Sequence, residues 1–92
     1  MRTANTIHSI LDDAAALGDS DLLHALRVRW ERRAARRELP ASVAIVWLHA
    51  SDAAYWRARA IDMRLAGSID RAMRLERKSD RCVGLAENYG TR

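Results

Sequence analysis

Between residues 54 and 86 one set of positions recurs in alternating steps of four and three without a slip: Ala54, Ala58, Ile61, Leu65, Ser68, Ala72, Leu75, Ser79, Cys82 and Ala86. That spacing marks one face of an α-helix and makes a coiled-coil-like seam. Eight of the ten residues are apolar but small, so the seam brings helices close together while burying little area at each position. Extended backward through Val43, Trp47 and Ala50, the stripe would make one helix from Ser42 to Asn88, about 70 Å long at 1.5 Å per residue. A 92-residue monomer cannot cover such a helix. Two solutions are open: the helix breaks near Ser51 and again at Gly67, with Ser68 recapping it, or the protein dimerises along it. We expect a homodimer, with Ala58, Ile61, Leu65, Ala72, Leu75 and Cys82 as the oligomer seam.

Upstream, Ile7, Ile10, Leu11, Ala14 and Leu17 predict a first helix from Thr6 to Leu17, capped by Asn5 or Thr6 and stopped at Gly18. Asp19 and Ser20 are both good N-caps for a second helix from Asp21 to Glu38, with Leu23, Leu26, Trp30 and Ala34 on one side. Leu39 and Pro40 end it, because proline restricts the residue before it and cannot donate the next bond. The run Val43 to Leu48 is continuously apolar, and no second strand candidate exists to pair with it, so it reads as helix, with Ser42 as cap. Val43 to Arg59 fits a helix-turn-helix frame poorly: Ile45 and His49 stand where a small residue and glycine are wanted, so a plain helix is preferred. Asn88 to Arg92 reads as a frayed tail. The expected fold is all-α: a single domain over residues 1–92, with four or five helices in a small bundle and a long C-terminal helix or helix pair.

Apolar residues make up 49% of the chain and charged residues 30%, which is globular composition, but phenylalanine is absent and alanine numbers 17, so the core must be thin. One cysteine cannot form an intramolecular disulfide, and neither a secretory signal nor a span of 18 apolar residues is present; these point to a soluble cytoplasmic protein without a membrane role. Signals for catalysis are weak. His8, His24 and His49 are dispersed, and His8 with Asp12 is the one i,i+4 pair suited to a metal, short of the three or four ligands a site needs. Asp12, Asp13, Asp19 and Asp21 lack calcium-loop spacing, and no glycine-rich phosphate loop occurs. We therefore expect a non-enzyme that uses neither metal nor cofactor.

Charge is the informative property. The net charge is +4, but residues 1–26 carry one Arg against four Asp, residues 27–38 carry six Arg against two Glu, and residues 57–92 carry nine bases against five acids. An acidic front followed by two basic blocks favours anionic partners. At 100° per residue Arg29, Arg32, Arg33 and Arg36 fall within an arc of about 100°, and the planar guanidinium suits phosphate. A second row, Arg57, Arg64, Arg71 and Lys78, is spaced by seven, with Arg74 and Arg81 beside it. In a parallel dimer it would set Arg57 near Asp62 of the second copy and Arg71 near that copy's Glu76, a clasp as plausible as a phosphate track. Tyr55 and Trp56 beside Arg57 and Arg59 mix rings with bases, as at stacking surfaces or interface anchors. A solvated charged face competes with each of these readings. The expectation is a small regulatory protein that binds nucleic acid through Arg29, Arg32, Arg33 and Arg36, assisted by Arg57, Arg59, Arg64 and Arg71. The alternative is a protein-binding module, an inhibitor or adaptor, docking Trp and Arg side chains onto an anionic protein surface.

Overall fold

The structure is a computed structural model that describes residues 2–90, with side chains from Ile7 to Tyr89. Four helices follow one another: α1 (Arg2–Ala16), α2 (Ser20–Ala34), α3 (Ala41–Leu65) and α4 (Ile69–Gly90). The fold is a small all-α bundle, as the spacing predicts. No strand occurs among the described residues.

The longest helix, α3, is the centre of the bundle and sets its 42 Å long axis. It meets α2 through Trp47 and Tyr55, which touch Trp30 and His24. It meets α4 through His49, Ala53 and Trp56, which touch Tyr89, Ser79 and Lys78. Those two sets of α3 positions lie about half a helical turn apart, so α2 and α4 flank α3 and do not approach one another. α1 lies across the assembly and packs against all three. Buried on several sides, α3 has no single apolar stripe, which is why Val43 to Leu48 reads as continuously apolar. Its buried positions are Val46, Ser51 and five alanines, Ala50, Ala53, Ala54, Ala58 and Ala60. The larger core side chains come from the neighbours: Ile7 and Leu11 of α1, Leu23 and Trp30 of α2, and Val83 of α4.

The seam closes within one chain. Gly67, at φ +83°, turns the backbone so that Ser68 N–H donates to the Met63 carbonyl at 2.8 Å and Gly67 N–H to the Arg64 carbonyl at 3.0 Å. This double closure is a Schellman motif, and it reverses the chain so that α4 returns antiparallel along α3. Ala58, Ala72, Ser79 and Ala86 are buried between the helices, Ile61, Leu75 and Cys82 are partly covered, and the Ser79 hydroxyl donates to the Ala53 carbonyl at 2.9 Å. The expected second chain is therefore not what covers these residues. Leu65 departs furthest from the seam reading at 79% exposed, because α3 ends there and nothing faces it at the turn.

Other boundaries differ from the sequence reading. α3 is unbroken at Ser51: the hydroxyl of this buried residue donates to the Leu48 carbonyl at 2.9 Å, satisfying itself on its own helix instead of capping a new one. A helix-turn-helix with a turn at His49 to Ser51 is thereby ruled out. Pro40, not Ser42, stands at the N-terminus of α3, and its carbonyl accepts from Val43 and Ala44 N–H. α2 stops at Ala34, four residues before the expected end at Glu38, because the chain reverses through 35–40 to present Pro40 to α3. α1 begins at Arg2, so Asn5 and Thr6 stand inside it rather than before it, and their side chains lie outside those described. At the other end α4 continues through Asn88 and Tyr89 instead of fraying, with Tyr89 stacked 5.6 Å from His49. Thr91 and Arg92 of the expected tail lie outside the described residues. The Asp19 cap is as expected, its carboxylate accepting from Asp21 and Leu22 N–H at 3.0 and 3.3 Å.

Candidate nucleic-acid interface

The fold sorts the cations into those held by carboxylates and those left with their full charge. Arg57 belongs to the first group: it donates to Asp12 of α1 at 2.9 Å and lies 3.7 Å from Asp80 of α4, tying three helices together. Arg64 makes a two-pronged pair with Glu76, at 2.7 and 2.8 Å, across the α3–α4 hairpin. The hydrogen bond from Arg64 holds the Glu76 carboxyl below the usual range, against the opposing effect of partial burial. Arg27 pairs with Glu31 one turn along α2 at 2.6 Å. Of the expected clasp between parallel copies, Arg57 and Glu76 are instead engaged within the chain. Arg57 and Arg64 thus each meet a carboxylate of the chain.

The predicted arc survives. Arg29, Arg32, Arg33 and Arg36 line one shallow, open concavity of about 430 Å³ with Ala25 and Val28. No carboxylate lines it. Among the described residues Arg29, Arg32 and Arg36 make no ion pair or side-chain hydrogen bond. Arg36 reaches this surface from the turn after α2, not from the helix itself. Arg33 is half-buried, its guanidinium 4.6 Å from the centre of the Trp47 ring, which in turn leans on the core residue Trp30. A ring positions a cation without neutralising it.

Arg59 and Arg71 come together in a different place. With Arg74 and Lys78 they surround Met63 and Leu75 in a concavity of about 270 Å³ between α3 and α4. Arg59 donates to the Tyr55 hydroxyl at 3.1 Å, and the Lys78 ammonium sits 4.5 Å over Trp56. The linear reading grouped Arg71 with Arg57 and Arg64 by spacing alone, and the hairpin separates them. In α4 taken by itself the bases share one flank and every acid but Asp70 lies on the other, a signal that spacing by seven does not use.

The remaining polar candidates do not converge. His8 contacts Asp12 at 3.1 Å, on a carboxylate that Arg57 also uses; His24 lies 6.3 Å from Tyr55, and His49 stacks on Tyr89. Among the described residues no group of three or more His, Cys, Asp or Glu is placed to hold a metal ion. Burial, reinforced by the charge of Asp52, pushes the Cys82 thiol up, so it stays protonated at neutral pH. No helix of the described residues is long and apolar enough to cross a membrane. Compared with known protein families, with characterised proteins and with solved structures, the chain matches none.

Proposed function

We propose that this protein is a small regulatory protein that acts by binding, not by chemistry, and that it contacts the phosphate backbone of nucleic acid through Arg29, Arg32, Arg33 and Arg36. The observation that carries this reading is the concavity of four guanidinium groups with no carboxylate on its walls and, among the described residues, no ion pair within the chain for any of them. Arg27, Arg57 and Arg64 are paired with carboxylates of the chain, whereas these charges are available to a polyanion. Each phosphate neutralised releases condensed counterions, and the resulting affinity is sequence-independent and falls steeply with salt. Phosphate contacts of this kind position a protein on nucleic acid without reading its bases.

Binding to arbitrary duplex and single-stranded DNA and RNA over a salt series tests the reading. Replacing Arg29, Arg32 and Arg36 together by Gln should weaken binding equally for all sequences and reduce the slope of log K against log salt by up to about 0.9 per lost contact on duplex DNA. A second reading, docking to an acidic protein surface, is favoured by the exposure of Leu22 and Val28 beside the same arginines. Under that reading the parent protein binds nucleic acid weakly at every salt concentration.

A further inference from the structure

We infer that the protein carries two separate polyanion-binding surfaces and bridges two nucleic-acid duplexes. The inference rests on the proposed nucleic-acid reading and adds a second site to it. At 100° per residue Arg71, Arg74, Lys78 and Arg81 of α4 fall within an arc of about 80°, while Glu76, Asp80 and Glu87 fall within about 40° on the other flank. The acidic flank is engaged by α3, Glu76 with Arg64 and Asp80 with Arg57. The basic flank meets Arg59 instead. Arg59, Arg71, Arg74 and Lys78 close around Met63 and Leu75 with no carboxylate on the wall, and aromatic partners hold Arg59 and Lys78 without cancelling their charge. One acid, Asp70, lies beside Arg74 and Arg77 at the start of α4, next to this surface and outside its lining.

Geometry keeps the two surfaces apart. The first is on α2 and the second on α3 and α4, and α2 and α4 lie on opposite sides of α3 without touching. Arg33 marks the first at Trp47 and Met63 marks the second, about 24 Å apart along α3 at 1.5 Å per residue. Duplex DNA has a persistence length of about 500 Å and cannot turn around a bundle 21 by 18 Å across to reach both. Two occupied surfaces therefore mean two duplex segments.

The test uses the full chain, one duplex immobilised on beads and a second fluorescent duplex of unrelated sequence. The parent should capture the fluorescent duplex, with capture rising and then falling as excess protein saturates both duplexes separately. Two variants, R29Q/R32Q/R36Q and R71Q/R74Q/K78Q, should each keep the helical signal and bind a single duplex to within about tenfold of the parent, because one surface remains. Both should lose capture to the bead background. Capture by either variant at the parent level overturns the inference, as does a parent that binds duplex but never bridges; in that last case the nucleic-acid reading stands alone. A parent that binds no duplex, or only an acidic protein, overturns both.

Discussion

Arg64 and Glu76 face each other across the α3–α4 hairpin, with Nε 2.7 Å from Oε2 and Nη2 2.8 Å from Oε1. The planar fork of arginine matches a carboxylate in this way only when both chains present themselves side by side. The pair therefore records the antiparallel return of α4 near the turn, much as the bond from the Ser79 hydroxyl to the Ala53 carbonyl records it in the middle of the hairpin. It also sets one positive and one negative charge against each other at the surface.

Glu76 makes stability depend on pH in a definite direction. Its folded-state pKa lies below the ordinary carboxylate value, chiefly through the hydrogen bond from Arg64, so its contribution is fully present above that ordinary value and is lost as pH falls through the folded one. Urea unfolding of the parent and of Glu76→Gln should differ at pH 7, with the parent more stable, and the difference should shrink progressively below about pH 4. A difference that is the same at pH 3 as at pH 7 would contradict the assignment.

Two glycines should respond in opposite senses. Gly84 lies on the exposed face of α4, where an added Cβ meets nothing within 4 Å, and Gly84→Ala should raise stability by about 0.5–1 kcal/mol. Gly67 has equal space but sits at φ +83°, so Gly67→Ala should destabilise by about 1–2 kcal/mol. Thermal melts of the two variants side by side give the sign of each directly.

Small residues at the hairpin seam should prove intolerant of growth. Ala58 and Ala72 are fully buried, and replacing either by Leu should cost about 1–3 kcal/mol by forcing α3 and α4 apart. If the seam were an open surface awaiting a second chain, the same substitutions would leave the melting of the dilute protein unchanged or raise it.

Core and surface on α2 should separate by mutation. Trp30 is 4% exposed, and Trp30→Ala should cost about 3–5 kcal/mol, a large share of what a domain this small possesses. Arg29→Gln, Arg32→Gln and Arg36→Gln together should leave the melting temperature within a degree or two, since none has an internal partner. Arg33→Gln should behave differently, costing about 0.5–1 kcal/mol through its lost position over Trp47. Circular dichroism melts of the three variants check the order Trp30→Ala, Arg33→Gln, triple Gln.

Local chemistry was legible along the chain wherever it acts locally. The caps and stops at Asp19, Gly18 and Gly67, the helical character of Val43 to Leu48, the small-residue seam and the arginine arc all follow from propensity, turn geometry and periodicity of 3.6 residues, which need only neighbours in sequence. Tertiary structure decided what the seam packs against and which charges remain open. Period alone is the same for a seam that meets a second chain and for one folded back at Gly67, and only the packed hairpin shows that α4 fills it. Spacing by seven likewise placed Arg57, Arg64, Arg71 and Lys78 in one row, but the reversal gives Arg57 and Arg64 to Asp12, Asp80 and Glu76, and leaves Arg71 and Lys78 beside Arg59. Ion pairing is set by distance in space, and residues 45 apart in sequence, as Asp12 and Arg57 are, meet only after the helices have packed.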